Sequence, residues 1–170
     1  LARIEERKAQ APVLSKGELF ADINAAVTTF EASNAVVAEY TATGTIRISD
    51  EIMTYTGRAT STNGVTFTGV TRGTDNTTAD EHSQDDAVQQ CLRYTDISID
   101  DAVEDLLTTY GGIGAAFLDT TNWATEISSY LVSYRLSTLI TRPTAVSSLV
   151  SQLQSQALFY IWWDERDALV

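Results

Sequence analysis

The sequence predicts an α+β protein: a small antiparallel β-barrel or sandwich module followed by a domain of mixed helix and strand. Three observations predict it. Residues 43–94 consist of short β-branched and aromatic runs broken by turn residues. After Tyr94 the apolar side chains recur at three and four residues, the period of a helix. Over 132–140 Val132, Tyr134, Leu136, Thr138 and Ile140 alternate with Ser133, Arg135, Ser137 and Leu139, the period of a half-buried strand. A chain of 170 residues suits one ordinary domain or two small ones. The organisation expected is a linker or helix over 1–17, a β-module over 18–95 and an α+β domain over 96–170.

In order, residues 1–12 are charged and helix-prone, and Pro12 with Ser15-Lys16-Gly17 breaks the run. Over 18–40 Leu19, Ile23, Ala26, Val27 and Phe30 fit a helical stripe, whereas Val27-Thr28-Thr29-Phe30 has strand composition. Two strands, at 19–23 and 26–32, are expected, with a helix as the alternative. Ile46 and Ile48 alternate with Thr45 and Arg47, and residues 52–56 form a second run beyond Ser49-Asp50, which predicts a hairpin. Asn63-Gly64 has the chemistry of a type I′ turn, with Val65, Thr66, Phe67, Thr68 and Val70 beyond it. Arg72-Gly73 ends that strand. A polar loop then runs over 74–86, and Val88, Cys91 and Leu92 belong to a closing strand.

In the second half Ser98 and Asp101 make a capping-box-like start. Ala102, Val103, Leu106, Leu107 and Tyr110 share one helix face, and Gly111-Gly112 ends the helix. A second helix is expected over 121–131, carrying Trp123, Ile127, Tyr130 and Leu131 on one side, and then the alternating strand. Pro143 suits the first turn of a third helix whose inner face is Val146, Leu149, Val150, Leu153 and Ala157. The apolar run 158–163 has strand length, and Asp164-Glu165-Arg166-Asp167 has turn chemistry. Both ends read as cut from a longer protein: Leu1 opens the chain in place of Met, and Ala168-Leu169-Val170 begins a new apolar run.

The formal charge of −12, from 23 acids against 11 Lys and Arg, argues against general nucleic-acid binding, which needs clustered cations. Cys91 is the single cysteine, so no intrachain disulfide can form. It is expected to be a small buried hydrophobe. No apolar run approaches the roughly 20 residues of a membrane span.

Catalytic patterns are mostly missing: there is no G-x-x-x-x-G-K-S/T, G-x-S-x-G or H-E-x-x-H. No catalytic, cofactor-binding or metal-ligating residue is assigned, and no cofactor is expected. Gly111–Phe117 lacks the glycine spacing of a dinucleotide loop and follows a helix. The cluster Asp75, Asp80, Glu81, His82, Asp85, Asp86 lacks EF-hand spacing and reads as a solvated loop, with His82 as a hydrogen-bonding loop residue. Asn76-Thr77-Thr78 is a glycosylation sequon, meaningful only in a secreted protein. Glu18, Asp22, Glu31 and Asp164-Glu165 are the carboxylates a glycosidase reading would use. Trp162 and Trp163, in a strand, would face opposite sides, one to core and one to an interface.

One resemblance is carried by particular residues. Residues 44–57, GTIRISDEIMTYTG, and 65–89, VTFTGVTRGTDNTTADEHSQDDAVQ, resemble a small β-module of tailed-bacteriophage tail and baseplate proteins. There a G-x-[IV]-x-I-x-[DE]-E-[IL] hairpin precedes a TRG segment and a TTA-x-x-H loop, places filled here by Arg72-Gly73, Thr77-Thr78-Ala79 and His82. The order of parts after residue 96, ending in IWWDERD, is similar to that of baseplate hub, or tail-tip hub, proteins. The resemblance implies a virion structural protein without enzymatic activity. It would form a ring, as a homotrimer, that bridges the tail tube to the tip and contacts the distal tail ring, the tape measure and tip or fibre proteins. It also implies DNA passing through the ring without sequence-specific contact. Two alternatives remain open: a carbohydrate-binding or host-adhesion module presenting Tyr55, Phe67 or a neighbouring Trp, and part of a peptidoglycan hydrolase.

Overall fold

The computed structural model describes residues 9–162. The chain divides into two compact units. A β unit comprises residues 12–93 and 139–142, and a helical unit takes the described residues 9–11, 94–138 and 143–162.

Among the described residues the strands form open antiparallel sheets with no closed barrel. Strand β1 (Gln10–Ala11) belongs to the helical unit. One sheet has the order β2 (Glu18–Leu19), β3 (Thr29–Ser33), β7 (Gly64–Thr68), β6 (Gly57–Thr60). In another, β4 (Gly44–Ile48) lies between β5 (Glu51–Tyr55) and β8 (Val88–Ser98), and β9 (Arg135–Ile140) follows β8. The hairpin expected at Ser49-Asp50 forms: Ile48 pairs with Glu51, and Ser49 takes the positive φ of 52° that a tight two-residue loop requires.

Other expectations are corrected. The strand over 19–23 shrinks to Glu18–Leu19, because Ile23 pairs instead with His82 in a two-hydrogen-bond bridge. The strand over 26–32 forms as Thr29–Ser33. Strand β6, not separately foreseen, arises because the run after β5 crosses to the other sheet at Thr56. The turn at Asn63-Gly64 is not type I′: Gly64 has φ 149°, but Asn63 lacks positive φ, and its amide bonds the Glu31 carboxylate across to β3. Glycine is required at 64 because a Cβ there would lie 2.3 Å from the Ala32 carbonyl oxygen of β3.

A single hydrophobic core takes side chains from both sheets. Phe67 is its centre, with its ring 5.0 Å from those of Tyr40 and Tyr55, edge-on to each, and 5.3 Å from Phe30. These are the offsets that aromatic quadrupoles favour. The buried phenols are satisfied: Tyr40 donates to the Val88 carbonyl oxygen at 2.8 Å, and the Tyr55 hydroxyl lies 2.8 Å from both the Thr41 carbonyl oxygen and Gln90 Oε1. Burial pushes both hydroxyls above the usual tyrosine range. Cys91 is buried as expected, and burial pushes its thiol up to about 12.

In the helical unit α1 (Ile99–Asp105) buries Ile99, Ala102 and Val103. It continues as a π-helical turn over Leu106–Tyr110 and stops at Gly111, with Gly112 at φ 70°. The capping box is not formed: Ser98 Oγ accepts no backbone N–H and instead donates to the Asp101 carboxylate at 2.6 Å. α2 (Thr120–Glu126) runs on into a π-helical turn, Ile127–Leu131. Pro143 precedes a short strand, β10 (Thr144–Ala145), which pairs with β1, so α3 (Val146–Ala157) starts three residues later than expected. Of its foreseen inner face Val146, Leu149, Leu153 and Ala157 are buried, and Val150 is half-buried. Residues 158–162 are not a strand: Leu158 takes the left-handed conformation at φ 56° and ends α3, and no regular element follows among the described residues. Trp163 and the Asp164-Glu165 turn lie outside the described residues.

Because Phe67 joins three other rings, Phe67→Ala is expected to lower the unfolding free energy by about 3–5 kcal/mol, measured by urea titration.

Candidate functional site

Strand β5 begins with a carboxylate in register with buried side chains. Glu51 shares a strand face with Met53 and Tyr55, and its side chain is 1% exposed. A buried charge demands a cation and hydrogen bonds, and three separate segments supply them. Arg72, beyond β7, grips both oxygens, with Nε 2.8 Å from Oε1 and Nη2 2.7 Å from Oε2. The Gly73 amide donates to Oε1 at 2.8 Å and the Asp80 amide to Oε2 at 3.1 Å. His82 Nε2 lies 2.8 Å from Oε2.

Burial by itself raises the Glu51 pKa. The Arg72 guanidinium, the Asp80 amide, His82 and the Gly73 amide outweigh it and hold the carboxyl down at about 2. The carboxylate is therefore ionised at neutral pH, and His82 Nε2 carries the proton it donates. The other ring nitrogen, Nδ1, faces Asp86 Oδ2 at 3.9 Å.

The same contacts fasten the loop over 74–86, which the sequence suggested was solvated. His82 is buried, its backbone bridges Ile23 in both directions at 2.9 and 3.0 Å, and Asp85 and Asp86 bridge Leu19. Arg72 also donates to the carbonyl oxygens of Asn24 and Asp80. The Thr77 hydroxyl accepts from the Ile52 amide at 3.0 Å and donates to the Thr74 carbonyl oxygen at 2.7 Å, so the sequon threonine serves the backbone. Asp75, Asn76 and Asp85 take the positive φ that Asx residues tolerate.

A Glu–His–Arg group could in principle do acid–base chemistry. Here the Glu51 oxygens accept five hydrogen bonds from within the protein, more than the roughly four lone-pair sites of a carboxylate. With Arg72 and His82 only 6% and 4% exposed, no lone pair faces a substrate. The arrangement is a clasp that closes the loop onto the sheet.

The other carboxylates considered are individually engaged. Glu18 accepts from Asn34 at 2.9 Å, Asp22 from the Gln84 amide at 2.8 Å, and Glu31 from Asn63 and Thr66 at 2.9 and 3.2 Å. Tyr55 and Phe67, the aromatics that a sugar-binding surface would use, are 2% and 0% exposed and belong to the core. The described tryptophans, Trp123 and Trp162, lie in the helical unit, where Trp162 is exposed. Gly111–Phe117 ends in a 3-10 turn over Ala115–Phe117, not in the helix of a dinucleotide site. Among the described residues no group of three or more His, Cys, Asp or Glu side chains is placed to hold a metal ion. No described helix is long and apolar enough to cross a membrane.

Glu51 is the residue that the motifs did not single out as central. The signal was present, since an acid in phase with Met53 and Tyr55 on an apolar strand announces a buried charge. Comparison with protein-family models, with curated protein sequences and with solved structures finds no match to this chain.

Removing the charge should be costly. Glu51→Gln leaves Arg72 buried without its anion and is expected to cost about 3–5 kcal/mol of unfolding free energy. The folded-state pKa of Glu51 is depressed from 4.5 to about 2, so its stabilisation is complete above the unfolded value. That stabilisation, on the order of 3 kcal/mol, is lost as pH falls from about 4.5 towards 2. Urea titrations of the wild type across that range should show this acid limb, and those of Glu51→Gln should lack it.

Proposed function

We propose that this chain is a structural component of a bacteriophage tail baseplate or tail-tip hub, part of the particle that bridges the tail tube to the tip. The supporting observation is that the motif pieces behind the resemblance form one physical unit. The D-E-I hairpin supplies Glu51, the T-R-G segment Arg72 and Gly73, and the T-T-A-x-x-H loop His82, all bonded to one carboxylate. A pattern scattered over some thirty positions of sequence thus has a single mechanical purpose, which is to hold a small β-module rigid. The motif's polar residues are spent inside the fold, as suits a structural part whose chemistry is its shape. The sugar-binding alternative loses Tyr55 and Phe67 to the core.

On this reading the chain is made in the bacterial cytoplasm and resides in the virion tail. Its partners are further copies of itself in a trimeric ring, the distal tail ring, the tape measure and tip or fibre proteins. The excess of acids over bases would let DNA pass without sticking.

Antibody raised against the chain is expected to label the distal end of the tail when particles are imaged by electron microscopy. Label confined to capsids, or found on no particle, would overturn the proposal.

A further inference from the structure

The helical unit leaves an apolar surface uncovered, and the charges around it have one sign. The helical segment over 120–131 has no fully buried residue, and Trp123, Ile127 and Leu131, four residues apart on one side, are only half-buried. A helix of that length is marginal in water unless such a face is packed. Trp123 and Ile127, with Ile99 and Val103 of α1 and residues 158–162, line a groove of about 670 Å³. That is the size of a site for one or two large side chains. Along its margin Leu158 and Tyr160 are each 85% exposed and Trp162 is 71% exposed.

Asp100, Asp119 and Glu126 line the same groove, and among the described residues no Lys, Arg or His does. Asp119 is engaged, since its carboxylate accepts from the Asn122 amide at the start of α2. Asp100 Oδ1 is buried with no hydrogen-bond partner, a condition that costs free energy until a donor arrives. Among the described residues of this unit Arg135 is the only cation, and it is paired with Asp96. Among the described residues the groove therefore offers apolar contact framed by carboxylates.

We propose that this groove is the docking site for a segment of a partner protein that carries a large apolar anchor flanked by Lys or Arg. The apolar side chain packs against Trp123 and Ile127, and a flanking cation meets the exposed Glu126. Charge complementarity selects this occupant. A second copy seated by two-fold symmetry would set carboxylate against carboxylate, and nucleic acid or an anionic surface would be repelled. The inference stands on the groove alone and does not depend on the tail assignment.

The test uses the full chain and two fluorescein-labelled amphipathic peptides of equal length, one of Leu and Lys with a single Trp, the other with every Lys replaced by Glu. Anisotropy titration should show binding of the Lys peptide, weakening as salt is raised, and no binding of the Glu peptide. Trp162→Ala should weaken the Lys peptide at least about fivefold, and Glu126→Gln about two- to fivefold. Both side chains are exposed, so the variants should keep the wild-type circular dichroism. Asp50→Asn, an exposed acid of the β unit, should change nothing. Equal binding of the Glu peptide would overturn the proposal, and so would an equal loss on Asp50→Asn, which would reduce the effect to net charge. Self-association in sedimentation that Trp162→Ala abolishes would overturn it in favour of a second copy.

Discussion

A carboxylate placed inside a small protein dictates much of what surrounds it. Glu51 is in the strand phase of Met53 and Tyr55 and cannot leave the interior without turning that face outward. Once there, it must be neutralised and hydrogen-bonded, or it would take up a proton. The chain answers with donors from three places: the strand exit at Arg72-Gly73, the loop amide of Asp80 and the ring of His82. Each donor fixes a stretch of backbone that has no repeating hydrogen bonds of its own. Arg72 ties the segment at Asn24, and His82 ties Ile23. A long polar connection is thereby held without a strand or helix, because its ordering entropy is offset at one buried point.

Such a clasp is a device for specificity more than for stability. An ion pair in a core often does no better than an apolar replacement of equal shape. It does penalise every alternative in which the loop lies elsewhere, since Glu51 would then be buried and unpaired. The aromatic cluster has the complementary role: Phe67, Phe30, Tyr40 and Tyr55 supply apolar burial. Tyr40 and Tyr55 also carry that cluster into the polar layer of Val88, Thr41 and Gln90. Burial supplies the driving force, and the clasp selects which loop arrangement receives it.

What could be read in the sequence follows the range of the interactions. Local signals succeeded: the Ser49-Asp50 hairpin, the Gly111-Gly112 helix end and the inner face of α3 depend on neighbours a few residues apart. Long-range facts were missed. Thr56 reads as part of a strand, yet it is where the chain changes sheets, and Ile23 reads as the end of a strand although its partner is His82, far along the chain. Residues 158–162 have the composition of a strand but no neighbouring strand among the described residues, and composition supplies no ladder. Around the clasp, Arg72 and His82 stand out as a pattern, whereas its centre, Glu51, is one acid within a hairpin motif. Only the phase of its strand distinguished it.

The two units also differ in how they use polar groups. In the β unit the conspicuous ones are satisfied within the fold: Glu51 by five donors, Gln90 by Tyr55, Thr45 and Cys91, and Ser15 by Gln89 and Gln90. Each unit keeps one buried oxygen unpartnered among the described residues, Ser61 Oγ in the β unit and Asp100 Oδ1 in the helical unit, but the helix over 120–131 has no fully buried residue. A large apolar side chain exposed singly is ordinary, but Leu158, Tyr160 and Trp162 are exposed together beside a groove. The β unit thus has the economy of a part that is finished by its own folding. On the docking proposal the helical unit is a part finished by contact, and the described acids lining its groove favour a basic partner.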